Sequence, residues 1–416
     1  MSEAGALPPL PAWFGEGPVR RLLDVIGVAG DEARPVGGAV RNWLLGLDPG
    51  DVDIATTAEP GVVAARCREA GFKVVPTGIA HGTVTVVVEG TGFEVTTLRE
   101  DVATDGRHAV VRFGRDWRSD AARRDFTFNA MSLTAEGALF DPFGGRADLA
   151  RGIVRFIGEA VARVREDRLR ILRLFRFHAT YGAGALDGEA RAAAIAERAG
   201  VADLSRERVR AELMKLLVAP RAAEGAQAMA DCGLLDRILG GVPMAATVQR
   251  LAAIEASLGL AADPVRRMAA LAVLTREDAI RLRERLALSN AEFRRLEGIG
   301  HGWRQPDPAA GAIAAKALLA ATGPRGYGDR AMVGFARSGA PADDAAWLQL
   351  LTLPDRWKAP SLPVSGDDLM RRGVAAGPAV GRVLSAVRER WIAADFPTDR
   401  ASVEAITAAA LAADCG

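Results

Sequence analysis

Near Arg151 the chain changes character, and that change limits what it can fold into. Before it, runs rich in Val and Thr such as Gly82–Glu89 and Phe93–Leu98 alternate with short helical windows. After it, Ala, Leu and Arg dominate, the apolar period is helical, and strand-like runs disappear. Strands confined to the first third and helices beyond predict an α+β head followed by all-helical domains. With 416 residues the chain is long enough for two to four domains. The turn signals predict a head over 1–150, a helical neck over 151–235 and a helical body and tail over 236–416. Within the head, a helix is expected over Val19–Ala29 and another over Pro60–Ala70. A strand is expected over Lys73–Pro76, and a hairpin closed by Gly90-Thr91-Gly92. Gly323–Gly328 and Pro354–Pro363 read as further connectors.

The formal net charge is +1 and the pI about 7.8, so any nucleic-acid surface is local rather than global. Cys67, Cys232 and Cys415 lie far apart without metal-type spacing and read as free thiols of a reducing compartment. The N-terminus lacks a basic segment followed by an apolar run, and no apolar stretch has membrane length. The expected location is cytoplasmic, with no membrane contact and no obligatory protein partner.

Val36–Thr57 carries the first chemistry. Gly37 and Gly38 let backbone amides approach an anion, and a short helix, Ala39–Leu45, follows with Arg41 on its first turn. In Asp51-Val52-Asp53-Ile54 the two acids fall on one face of an expected strand. Carboxylates held side by side repel and want a cation between them. Mg²⁺ commonly takes one or two carboxylates plus substrate phosphates. Taken singly, a glycine turn and an exposed strand edge explain the two pieces as well. Taken in this order they resemble the nucleotidyltransferases related to DNA polymerase β, and among them the class II CCA-adding enzymes and bacterial poly(A) polymerases.

That resemblance implies a third carboxylate on a neighbouring strand, for which Glu94 is the candidate beside the metal pair Asp51 and Asp53. Three carboxylates suit two-metal nucleotidyl transfer, with Gly38 and Arg41 neutralising phosphate charge. The turn containing His81 also resembles the family, without a catalytic role. Leu98–Asp101 and the polar run to His108 read as a mobile loop or a plain solvated linker. In Arg123-Arg124-Asp125-Phe126 the resemblance assigns Arg124 and Asp125 to the ribose and phosphates. It makes Asp141–Gly145 the hinge to the neck. Asn42 departs from the family, which usually has an acid there.

Nine arginines and no lysine lie between Arg146 and Arg176. On one continuous helix, Asp167, Arg170, Arg173 and Arg176 form a ridge opposite Leu172, Leu174 and Phe175. A salt-bridged solvated face is the ordinary reading of such a pattern. Forked arginine donors instead suit phosphates and base edges. Cytosine and adenine both offer an amino donor beside a ring-nitrogen acceptor, whereas uracil and guanine reverse the order. Asp167 accepting and Arg170 donating would admit CTP and ATP and reject UTP and GTP. The Glu166-Asp167-x-x-Arg170 spacing resembles the nucleotide-selecting motif of class II CCA-adding enzymes, with Arg173 and Arg176 continuing toward the triphosphate. The resemblance implies addition of CCA to tRNA from CTP and ATP, or else poly(A) or A-only synthesis. Arg371, Arg372, Arg382 and Arg388 are RNA-backbone candidates or a solvated face.

Overall fold

The computed structural model describes residues 6–79, 82–104 and 109–414. His81, Asp105–His108 and Cys415 lie outside them. The chain forms two compact units, Met1–Ile238 and Leu239–Gly416.

The first unit is built on strands β1 Ala33–Val36, β2 Asp53–Thr56, β3 Lys73–Gly78, β4 Thr83–Val88, β5 Thr91–Thr97, β8 Ser132–Leu133 and β9 Leu139–Phe140, in the order β3-β4-β5-β2-β1-β8-β9. Among the described residues only β2 and β5 pair in parallel. Strands β6 Arg99–Thr104 and β7 Ala109–Phe113 form a separate two-stranded ribbon. This corrects the loop expected after Leu98, whose backbone pairs with Ala109–Phe113, a partner that polar composition does not reveal. The β4–β5 turn is Glu89-Gly90, with φ 51° and 82°. Positive φ at both positions matches the right-handed twist of the flanking strands. Gly92 therefore lies inside β5, opposite Val87.

Helices α1 Ala12–Gly15, α2 Pro18–Ile26, α3 Gly38–Leu44, α4 Pro60–Glu69, α5 Trp117–Ala122 and α6 Gly145–Ala150 complete the head. Helix α2 stops earlier than expected because the Gly27 N–H caps the Leu23 carbonyl and Ala29 and Gly30 have positive φ. Buried Leu22, Leu23 and Ile26 of α2 and Val63, Ala64 and Cys67 of α4 belong to the head core. On the face carrying Asp53, Val36, Ala55 and Leu98 pack with Trp117. The Asp141–Gly145 stretch is a braced turn: Asp141 accepts from Gly145 N at 2.7 Å and Arg146 N at 2.9 Å. A Cβ on Gly145 would sit 2.2 Å from the Thr127 carbonyl oxygen, so only glycine fits.

The unit continues through α7 Ala160–Glu166, α8 Leu169–Tyr181, α9 Gly188–Ala196, α10 Arg206–Leu217, α11 Ala222–Asp231 and α12 Leu235–Leu239, which crosses into the second unit. Helix α8 buries Ile171, Leu172, Leu174 and Phe175, as its apolar spacing predicts. Ser205 caps α10 through the Arg208 N–H.

The second unit is helical, beginning with α13 Ala245–Ser257, α14 Pro264–Ala272, α15 Arg276–Leu286, α16 Asn290–Gly302 and α17 Gly311–Ser338. Inside it, Asp329 is 2% exposed and accepts from Arg295 at 2.8 Å and Arg266 at 3.1 Å. Glu255 accepts from Arg267 at 2.7 Å. Such buried charges persist only as pairs. Gly323–Gly328 is a kink within α17 rather than a connector, set by Gly323 at φ 71° and Pro324.

Candidate active site

The sheet register builds the acidic end of the site. Val36 pairs with Asp53 across β1–β2, and Ile54 pairs with Val95 across β2–β5. One step back along that parallel register, Asp53 lies beside Glu94, with both side chains on the face opposite buried Ile54 and Val95. Asp51 precedes β2 instead of lying on it. The expected strand alternation therefore covers Asp53 and Ile54 but not Asp51, whose position depends on the preceding loop.

Partial desolvation raises the Asp53 pKa, the negative charges of Glu94 and Asp51 add to the rise, and Arg124 opposes it. Glu94 and Asp51 thus each bear on Asp53, and a cation at Asp53 would relieve that repulsion. Among the described residues no group of three or more His, Cys, Asp or Glu side chains is arranged to hold a metal ion, so the candidate ligands are the pair Asp51 and Asp53. The donor set nevertheless fits a hard divalent ion, which takes carboxylate oxygens and completes its shell with water or phosphate.

The cationic side begins at Gly37, whose φ of 67° turns β1 into α3. A Cβ there would meet Arg124 Nη1 at 3.1 Å, so the glycine also leaves room for that guanidinium. Gly38 opens α3, and its missing Cβ faces Arg41 Nη2 at 3.6 Å. Arg41 is 7% exposed. It donates to Asn129 Oδ1 at 2.7 Å and to Asn42 Oδ1 at 2.9 Å, and its guanidinium carbon lies 4.3 Å from the Tyr181 ring centre. Both acceptors are neutral, and burial pulls the Arg41 pKa down. A buried guanidinium held by amides keeps its charge for an anion. Arg124 donates to the Asn129 carbonyl at 3.3 Å and lies 3.6 Å from Asp120.

Asp125 is buried and accepts from Phe126 N at 2.8 Å, Asn129 Nδ2 at 3.0 Å and Arg173 Nε at 2.6 Å. Burial alone pushes its carboxyl up, but the Arg173 charge and these hydrogen bonds outweigh that and hold it below the ordinary range. Arg176 donates to Glu212 of α10 at 2.5 Å, and Arg173 lies 3.9 Å from the same carboxylate. One row of arginines thereby joins Asp125 to α10.

The family model described as Poly A polymerase head domain matches residues 33–155, and one described as probable RNA and SrmB-binding site of polymerase A matches 185–246. The mitochondrial CCA tRNA nucleotidyltransferase 1 of Mus musculus is 34% identical over 394 residues, covering 92% of this chain and 88% of that protein. The chain belongs to the CCA tRNA nucleotidyltransferase family. A CCA-adding enzyme of Limosilactobacillus fermentum is 31% identical over 396 residues, covering 94% of this chain and 95% of that one. The crystal structure of the Bacillus stearothermophilus CCA-adding enzyme in complex with CTP aligns with a TM-score of 0.70 and 30% identity, over 90% of this chain and 92% of that one.

In this member of the CCA tRNA nucleotidyltransferase family the expected four-residue ridge is broken. Helix α7 ends at Glu166, and Asp167 is extended, with φ −149° and ψ 106°. Its carboxylate accepts from Leu169 N at 3.0 Å and Arg208 Nη2 at 2.8 Å, so it caps α8 and reaches α10. Arg170, Arg173 and Arg176 alone share the α8 face. Arg170 donates to Glu166 at 2.7 Å and to the carbonyls of Arg163 and Arg123 at 3.0 Å each. Asp167 and Arg170 are therefore held by separate partners, and each retains unused hydrogen-bonding capacity.

Asn129, Tyr181, Arg208 and Glu212 hold the site residues and were not singled out by sequence. Glu212 did carry a signal: it shares the apolar stripe of Val209, Leu213 and Leu216, where a buried acid requires a cation. Asn129 carried none. Among the described residues no helix is long and apolar enough to cross a membrane.

Proposed function

We propose that this chain adds C, C and A to the 3′ end of tRNA, using CTP and ATP and releasing pyrophosphate. The carrying observation is Asp53 beside Glu94 on the parallel β2–β5 register, with Asp51 two residues before Asp53, set against the buried, amide-held Arg41 and the adjacent Arg124. Asp51 and Asp53 would hold Mg²⁺, which supplies charge neutralisation and a more acidic hydroxyl when bound. Arg41 and Arg124 would bind triphosphate oxygens, and Gly37 and Gly38 keep the approach clear of side chains. Arg173 and Arg176 continue the row of forked donors along α8, oriented by Asp125 and Glu212.

In the reaction the tRNA 3′ oxygen attacks the α-phosphorus, the bond to the β-phosphate oxygen breaks, and pyrophosphate leaves. The residues position the two reactants and balance their charge. Asp167 would accept from the amino group of cytosine or adenine, and Arg170 would donate to the ring nitrogen. Uracil would instead set a carbonyl against the carboxylate, leaving a polar pairing unmade. Support for tRNA as the acceptor comes from the family and from the relatives' names. Buried thiols at Cys67 and Cys232 suit a reducing compartment, and we assign the protein to the cytoplasm.

The test is incubation with tRNA ending at the discriminator base. CTP alone should extend it by two residues, and CTP with ATP by three. The head-domain match to poly(A) polymerases favours a second reading, A-only synthesis. Failure to incorporate C, with extension by ATP, would replace the first reading with that one.

A further inference from the structure

We infer that Asn42 is a positioning residue that ties the Arg41 guanidinium to the loop delivering Asp51, using both ends of one side-chain amide. The inference rests on the nucleotidyl-transfer reading above.

Asn42 Oδ1 accepts from Arg41 Nε at 3.2 Å and Nη2 at 2.9 Å, while Nδ2 donates to the Asp48 carbonyl at 2.8 Å. The two ends of the amide cannot be exchanged, because a guanidinium only donates and a carbonyl only accepts. The Asn42 backbone carbonyl also accepts from Leu45 N at 3.1 Å and Leu47 N at 2.9 Å. One residue thus closes α3 and fixes the start of the Gly46–Gly50 loop. That loop turns through Gly46 and Gly50, both at positive φ, and Asp48 Oδ1 accepts from Gly50 N at 2.7 Å.

Asp51 follows directly and lies outside the β2 ladder. Strand pairing fixes Asp53, but Asp51 is placed by this loop, and the loop is tied to the Arg41 helix through Asn42. The brace therefore sets the spacing between the cationic and acidic sides of the site. An aspartate at 42 would still accept from Arg41, but it has no donor for Asp48, whose carbonyl would face a carboxylate oxygen. Alanine would lose both contacts.

The experiment compares full-length wild type, Asn42→Asp and Asn42→Ala. Hydrogen exchange of peptides covering residues 44–52 is read without metal or nucleotide. The Mg²⁺ concentration giving half-maximal CTP incorporation is read at saturating CTP. Both variants should exchange faster in 44–52 by about fivefold, as expected for one lost hydrogen bond, with α2 and α4 unchanged. Both should also need several-fold more Mg²⁺. The KM for CTP should rise more in Asn42→Ala, which alone removes one of the two side-chain amides that hold Arg41. Wild-type exchange in 44–52 together with wild-type Mg²⁺ dependence in Asn42→Asp would overturn the inference. If that variant does not fold, the same result in Asn42→Ala would overturn it. Wild type that incorporates no nucleotide would defeat the transfer reading instead, and the exchange comparison would still decide the brace.

Discussion

Replacing Asp167 by Ala should relax base choice more than it reduces tRNA binding. In the folded chain this carboxylate accepts one backbone N–H at 3.0 Å and one Arg208 N–H at 2.8 Å. The Arg208 pair is partly exposed on both sides, 44% and 31%, and such pairs contribute at most about 1 kcal/mol. Loss of the cap on α8 costs about 1 kcal/mol more. The structural loss is therefore about 1–2 kcal/mol, confined to the α7–α8 junction and α10. The functional loss is a hydrogen bond from the base amino group to an ionised acceptor, worth about 1.5–3 kcal/mol. That is roughly a 10- to 150-fold fall in the preference for CTP over UTP. Single-turnover incorporation of each nucleotide onto tRNA measures the ratio, and a filter assay measures tRNA binding, which should change little because an anion has been removed. A CTP/UTP ratio that stays at the wild-type value would refute the base-reading role of Asp167.

Glu212→Ala leaves Arg176 without its buried carboxylate and should destabilise the first unit by about 3–5 kcal/mol; Glu212→Gln should cost less, and equal unfolding midpoints for the two would contradict this. Asp53→Asn should abolish transfer while raising the melting temperature of the metal-free protein. The sign follows from the raised pKa: between the unfolded and folded values the folded state binds more protons, so Asp53 makes stability fall as pH rises through that window. The variant's gain over wild type should therefore appear above the ordinary Asp range and vanish in acid, and a gain independent of pH would argue against like-charge repulsion. Asp329→Ala strands Arg266 and Arg295 inside the second unit, and hydrogen exchange should rise over 264–302 while the head peptides keep wild-type rates.

Local rules carried much of the site. Two adjacent glycines and an acid on an expected strand pointed to Gly37 and Asp53, Glu94 came only from the family resemblance, and strand register sets Asp53 and Glu94 side by side. The apolar spacing of α8 located its buried face and left Arg170, Arg173 and Arg176 on the other side. The break at Asp167 escaped because Arg163–Arg176 keeps helical periodicity throughout, and a cap in extended conformation interrupts the backbone without interrupting that pattern. The β6–β7 ribbon escaped because its pairing is a property of two segments, not of either composition. Asn129 and Arg208 act on groups 88 and 41 residues away, so nothing in their own neighbourhoods identifies them. Asn42 was visible only as a departure from a family pattern, and its bridge from Arg41 to Asp48 becomes apparent only once the Gly46–Gly50 loop has folded back over α3.

The most direct measurement is the length of product made by the wild-type protein on tRNA ending at the discriminator base. The account predicts two added residues with CTP alone and three with CTP and ATP, with no extension by UTP or GTP. No extension by CTP, or an A-only or open-ended product, would contradict it.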